Sequence, residues 1–319
     1  MTKGIAAACV VLLAVGASAQ RQRPGPDTAD LVELDIVVLD RDEHPVAGLR
    51  QEDFQIKEDG HLVDVKTFSH VTALGTVEPD DARVVTLLMD DVGVSITGTS
   101  AMQAIAQALL SPLGRGDELS VVRLSSRSDE AFGDFNTARD RIAGYRGGMV
   151  PFSNRDTPET VLKAVAKISK QLEAIEHRRK VIICLGMSAV CDVEDPPLGS
   201  HSVLWPHWVA AIGAAARANV SVYAVDPTGL NQRSGARGIG LVKLTGGERF
   251  ANSNDFMRAA DAVWREASRY YLVGYWPAGG TRQLHNIDVK VARKDVHLRF
   301  RHTRCGIRDQ ALRSLVPDH

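Results

Sequence analysis

The chain has 319 residues, 44% of them hydrophobic and 24% charged, and its 38 basic side chains oppose 39 acidic ones for a net charge of −1. Such a composition buries a sizeable core in about two domains. The charge balance excludes the basic footprint of a nucleic-acid binder and the polybasic patch of a membrane-surface binder.

Lys3, the apolar run Ile5–Val15 and the small-x-small triplet Ala17-Ser18-Ala19 form the three parts of a secretory signal peptide over residues 1–19. Export to a periplasmic or extracellular space is expected, without a transmembrane segment, because the apolar run is shorter than the roughly 20 residues that span a bilayer. Three cysteines then remain, Cys184, Cys191 and Cys305, so at least one is free or intermolecular. Cys184 lies in the apolar run Val181–Leu185 and reads either as a buried thiol or, where the following loop folds back, as half of a bridge to Cys191.

Residues 20–29, rich in Arg, Gln, Pro and Gly, read as a linker. Residues 30–71 read as a small β module. Leu31–Leu39 alternates, Phe54–Lys57 is a short strand, Glu58-Asp59-Gly60-His61 is a hairpin turn and Val63–Phe68 alternates again. After a second linker, residues 83–265 carry strands that are continuous apolar runs: Val84–Met89, Leu119–Leu124, Val181–Leu185 and Val220–Val225. Amphipathic helices separate them, the clearest with its stripe at Val161, Val165, Ile168, Leu172 and Ile175. This pattern predicts an α/β domain with a doubly wound, mainly parallel sheet covered on both faces, and Ala131–Phe135 as an antiparallel edge strand. Strands return at Tyr270–Trp276, Ile287–Val291 and Val296–Arg301. A lone hairpin is marginal, so residues 266–303 are expected to pack with residues 30–71. The α/β domain is then an insertion in one β-sandwich-like domain, and residues 304–319 form a tail.

Several ordered stretches resemble the von Willebrand factor A-related family of secreted acidobacterial proteins. They are Leu34–Asp40, Val46–Ile56 and Glu58-Asp59-Gly60, then Arg179–Ile183, Asn219–Pro227 and Leu244–Gly247, and finally Tyr270–Tyr275 and His285–Val291. The resemblance implies a metal-ion-dependent adhesion site at the carboxyl ends of the sheet strands. There Asp carboxylates and Ser/Thr hydroxyls hold a hard divalent cation and leave one position for a partner's carboxylate. The family's Asp-x-Ser-x-Ser motif falls on Asp90-Asp91-Val92-Gly93-Val94-Ser95. Starting at Asp90 puts Val92 and Val94 in the hydroxyl positions, and starting at Asp91 puts Gly93 and Ser95 there. The second-loop threonine falls on Thr157, with Thr160 and Ser153 near enough to compete. Gly186-Met187-Ser188 stands in place of the third-loop Asp-Gly, with Asp192, Glu194 and Asp195 following. What the resemblance implies is therefore a degenerate site of Asp90, Asp91, Ser95 and Thr157, with no cofactor beyond weakly held Mg²⁺ or another divalent cation. Strand-end carboxylates such as Asp90 and Asp91 serve equally by accepting N–H groups of the next turn.

Two more residues are candidates for partner contact. Asp226 ends the fourth long strand on the ligand rim, or else forms a turn before Pro227. Trp205, close to Trp208, is an aromatic anchor on that rim, or else the start of a helix's apolar face. Gly235–Gly240 lacks the strand-to-helix context of a dinucleotide loop, and Asn219-Val220-Ser221 is a glycosylation sequon running into a buried strand. No nucleophile elbow, Walker loop or HExxH is present. The expected function is non-enzymatic: an exported protein that contacts a protein or cell-envelope partner through the strand-end rim. A structural or assembly scaffold is the alternative, and an exported hydrolase lacks a nucleophile-base pair.

Overall fold

The computed structural model describes residues 31–72, 82–113, 116–125, 135–148, 156–175, 178–187, 191–194, 201–227, 240–251, 255–277 and 284–305. Four strands come first: β1 (Val32–Leu39), β2 (Phe54–Glu58), β3 (His61–Val63) and β4 (Val65–Thr72). The α/β portion follows with β5 (Val84–Met89), α1 (Thr99–Leu110), β6 (Glu118–Arg123), α2 (Phe135–Ala143), α3 (Asp156–Leu172) and β7 (Lys180–Leu185). It ends with α4 (Trp205–Ala218), β8 (Val220–Val225), the single turn α5 (Leu241–Leu244), β9 (Arg249–Phe250) and α6 (Phe256–Ser268). The chain then returns to strands in β10 (Arg269–Tyr275), β11 (Leu284–Val291), β12 (His297–Arg299) and β13 (Thr303–Cys305).

The five strands of the α/β portion pair in the order β6-β5-β7-β8-β9, all parallel. β5, β7 and β8 are buried at every position, as uniformly apolar strands must be when helices cover both faces. Helices α3 and α4 pack on one face, and α1, α2 and α6 on the other. The stripe Val161, Val165, Ile168 and Leu172 is buried throughout, and each such aliphatic side chain stabilises the fold by roughly 1.5–3 kcal/mol. The alanines of α4 (Ala211, Ala214, Ala215, Ala216, Ala218) are buried too, which lets that helix lie close to α3 and to the β portion. One expectation fails here. Phe135, read as part of an edge strand, opens α2, its following residues having helical rather than alternating polarity; residues 131–134 lie outside the described residues.

The N- and C-terminal strands interleave in two antiparallel sheets, β12-β1-β10-β4 and β13-β11-β2-β3. Their facing side chains, among them Leu34, Ile36, Phe54, Ile56, Tyr271, Val273, Ile287 and Val289, form one core. The α/β portion is thus inserted between halves of a β domain, and α6 passes directly into β10 at Ser268 and Arg269. β1 is central in its sheet, and its second face is covered as well, so Asp35, Val37 and Leu39 are buried although the alternation of the strand places Asp35 on a polar face. The tail begins later than expected. Arg304 lies in β13, where its Nη2 and Nε reach Glu58 Oε1 and Oε2 at 2.6 and 3.0 Å inside the β domain, and that buried pair holds the strand on β11.

The two portions meet through charged groups. Arg179 Nη1 donates to the Asp35 carboxylate, and Asn219 Nδ2 donates to Asp35 Oδ1 at 3.1 Å. Asn219 also caps α4 in the left-handed conformation (φ 51°), so its side chain is committed to the fold rather than presented as a sequon. At the other crossing Arg83 binds Asp117 at 2.6 Å and Ser268 Oγ at 2.7 Å, tying the start of β5 to the end of α6.

Candidate functional site

Numbered within the parallel sheet, the strand order is 2-1-3-4-5, and the direction of the connections reverses between β5 and β7. The carboxyl ends of those two strands are where such a sheet opens a crevice. Asp90 follows β5 there, and its own amide donates to Leu185 O at the end of β7 (2.9 Å). Asp90 is fully buried. Its Oδ1 accepts the amides of Val92 (3.0 Å) and Gly93 (2.7 Å), an Asx turn that reverses the chain. Among the described residues its Oδ2 has no hydrogen-bond partner of good geometry, although the Met187 amide also favours the ionised carboxylate. A Cβ on Gly93 would stand 2.7 Å from that oxygen and one on Gly186 3.0 Å from it, so two glycines hold the space around the carboxylate. Burial raises the Asp90 pKa above the ordinary range, the amides of Gly93 and Val92 pull it back, and Asp91 adds to the rise. Tyr145 closes the pocket from below by donating its hydroxyl to Asp90 O at 2.7 Å.

Asp91 turns away from this pocket. Its Oδ1 accepts the Ser125 amide at 2.8 Å and its Oδ2 the Ser125 hydroxyl, which pins the end of β6 to the end of β5. Ser95 is exposed and shares a hydrogen bond of 2.8 Å with Thr97. Thr157 is the second residue of α3, and its side chain lies outside the described residues. Asp192 accepts the Val242 amide at 3.1 Å and faces Arg249 at 3.4 Å. Among the described residues no three His, Cys, Asp or Glu side chains are placed to hold a metal ion. A hard cation needs about six oxygens. Here one Asp90 oxygen is uncommitted, both Asp91 oxygens are taken by Ser125, and the hydroxyl positions next to Asp90 carry the buried apolar side chains Val92 and Val94. The described residues do not fit a divalent cation.

No protein-family model and no curated protein matches the chain. Solved structures do. An aerotolerance-related membrane protein from Bacteroides fragilis aligns with 58% of this chain and 98% of its own at 10% identity and a TM-score of 0.40. The manganese-loaded TRAP protein of Plasmodium vivax aligns with 74% of this chain and 97% of its own at 12% identity and a TM-score of 0.36. The pilus adhesin SpaC of Lactobacillus rhamnosus GG aligns with 79% of this chain and 47% of its own at 10% identity and a TM-score of 0.38. These likenesses are distant, and the fold assignment rests on the strand order itself.

The remaining rim residues divide. Asp226 is only 5% exposed, and its amide donates to Phe250 O at 2.9 Å. Little of Asp226 is therefore presented on the rim. Trp205 opens α4 half-buried and stacks on the buried Trp208 with ring centroids 5.7 Å apart. Cys184 and Cys191 are joined as a disulfide. The bridge closes the loop that leaves β7 and sets Asp192 and Val193 against α5, where Leu241 N donates to Val193 O at 2.9 Å. Cys305 belongs to β13, and its side chain is not described. Of Gly235–Gly240 only Gly240 is described, bridging to Glu194. Two residues that sequence reasoning missed complete the rim: Ile96, just after Ser95, is 52% exposed, and Val203, just before α4, is 86% exposed. Single apolar residues in turns carry no periodic signal that could have flagged them.

Proposed function

We propose that this chain is an exported, non-enzymatic protein of von Willebrand factor A type that holds a protein or cell-envelope partner on the strand-end rim, without requiring a metal ion. The observation that carries this reading is the pairing of two features at that rim. Both oxygens of Asp91 and one of Asp90, which a metal-dependent adhesion site would use, are taken by Ser125 and by the Val92 and Gly93 amides, while Ile96 and Val203 stand exposed after β5 and before α4, where Trp205 is half-buried. Exposed apolar and aromatic side chains are the usual anchors of protein contacts. The Cys184–Cys191 bridge supports passage to an oxidising compartment. Among the described residues no helix is long and apolar enough to cross a membrane.

The test is capture of envelope components by the full chain and by Ile96→Glu and Val203→Glu, each with Mg²⁺ and with EDTA. The expected result is one retained species, held equally in both buffers and lost in both variants. Retention abolished by EDTA, or unchanged in both variants, overturns the reading. Calorimetric titration with Mg²⁺, Mn²⁺ and Ca²⁺ is expected to show no heat at millimolar metal.

A further inference from the structure

Glu266 sits on α6 at the junction with the β domain and is 2% exposed. One of its oxygens takes Arg299 Nη1 and the other takes the Tyr223 hydroxyl at 3.1 Å. Arg299 belongs to β12, on the β-domain side. Its Nη2 is shared between Glu43 (2.8 Å), from the turn after β1, and Glu248 (3.2 Å), just ahead of β9. His297 Nε2 lies 3.0 Å from the far oxygen of Glu43. The other cation facing Glu266 is Arg179, already engaged by Asp35. Three carboxylates therefore converge on one guanidinium, drawn from both portions of the molecule.

Three carboxylates share the Arg299 guanidinium, and of the three only Glu266 is held away from water. A buried charge without a matching partner is costly enough that the group takes a proton instead. Glu266 is the member placed to do so. Its side chain is 3% exposed against 39% and 40% for Glu43 and Glu248, and its second oxygen faces a hydroxyl able to accept as well as donate.

We propose that the contact between α6 and β12 is a proton-operated latch, in which Glu266 docks beside Arg299 as a neutral acid in mildly acidic surroundings and, once ionised, loosens β12 from the α/β portion. Burial pushes Glu266 up to about 7, against the pull of Arg299, Tyr223 and Arg179 and with the help of Glu248. A carboxyl raised in the folded state contributes stability that is fully present below its ordinary range and is lost as pH rises through the folded value. The latch thus weakens between about pH 5 and 7 and changes little above.

Amide hydrogen exchange of the full chain from pH 5 to 8, corrected for intrinsic rates, tests this. In the unmodified protein the opening constant of β12 and the last turn of α6 is expected to rise by nearly tenfold per pH unit between about 5 and 7. Glu266→Gln is expected to remove the rise, and Glu248→Gln to keep it with a lower midpoint. A carboxyl ¹³C titration of Glu266 in the unmodified protein, which needs no variant to fold, is expected to show its midpoint near neutrality. An equal rise in Glu266→Gln, no rise in the unmodified protein, or a carboxyl midpoint in the ordinary range overturns the proposal.

Discussion

At the strand ends, Asp91 and one oxygen of Asp90 are satisfied by groups close at hand: the amides two and three residues ahead of Asp90, and one serine at the end of the adjoining strand for Asp91. At the domain junction and inside the β domain, Asp35 and Glu58 instead depend on guanidinium groups brought from distant parts of the chain, Arg179 and Arg304. Amides of a turn fix the shape of that turn, and little else changes when one is lost. A long-range ion pair fixes where two portions of the molecule stand relative to each other, and losing one partner strands the other as a buried charge. The rim is therefore a set of local turns, whereas the junction is a set of mutual dependencies.

The largest expected effect breaks the junction. Arg179→Met leaves Asp35 buried with Asn219 as its remaining side-chain donor among the described residues, and breaking a buried pair from one side costs about 3–5 kcal/mol. Denaturant unfolding of the full chain measures it. The double variant Asp35→Asn with Arg179→Met is expected to recover much of the loss, because no charge is then stranded. Additive losses in the double variant would contradict a paired role. The next effect touches the rim through its covalent tie. Replacing Cys184 and Cys191 together by Ala opens a short loop, for which chain entropy gives a loss of about 2–3 kcal/mol. Exchange protection is expected to fall first at Val193 and Leu241, whose hydrogen bond the bridge positions, while β1 and β12 keep theirs.

The same contrast explains what the sequence could and could not disclose. The parallel sheet was legible because each of β5, β7 and β8 is an unbroken apolar run, and the four-three spacing from Val161 to Leu172 marks a covering helix. The joining of terminal strands was legible from the instability of a lone hairpin. Asp35 was not, because within β1 it occupies a position that alternation assigns to solvent, and only the inserted domain buries it. Glu266, Arg299 and Arg304 look in sequence like ordinary surface charges, since nothing local records a partner far away in the chain. At the rim, the doubled Asp90-Asp91 was visible, but the division of labour between them was not. It depends on Ser125, which lies on a different strand end. The disulfide stayed open because a seven-residue separation permits both the bridged and the unbridged loop.

Asp90 gives a smaller effect that separates its two oxygens. Asp90→Ala leaves the Val92 and Gly93 amides without an acceptor inside the pocket, a loss of about 1–3 kcal/mol. Asp90→Asn keeps the acceptor at Oδ1 and is expected to lose less than half as much in the same unfolding measurement. Because burial raises the Asp90 pKa, its contribution is present below the ordinary carboxylate range and declines as pH rises through the raised value. The gap between the unmodified protein and Asp90→Asn should therefore narrow toward alkaline pH; a gap that widens would mean that the ionised form is the one the pocket favours.

Ser95→Ala is expected to change least, and it is the sharpest probe of whether the rim is a set of self-contained turns. The hydroxyl is exposed and shares a hydrogen bond with Thr97 in that turn, so its removal should alter stability by no more than about 0.5 kcal/mol. A ligand that binds only the folded state raises stability by RT ln(1 + [L]/Kd), so a metal held at Ser95 would shift the melting temperature of the unmodified protein at millimolar Mg²⁺ and not that of the variant. The expected outcome is no Mg²⁺-dependent shift in either. A shift confined to the unmodified protein would show that Ser95 and Asp90 act together on a cation, and the contrast between a locally satisfied rim and a mutually dependent junction would then have to be redrawn around that ion.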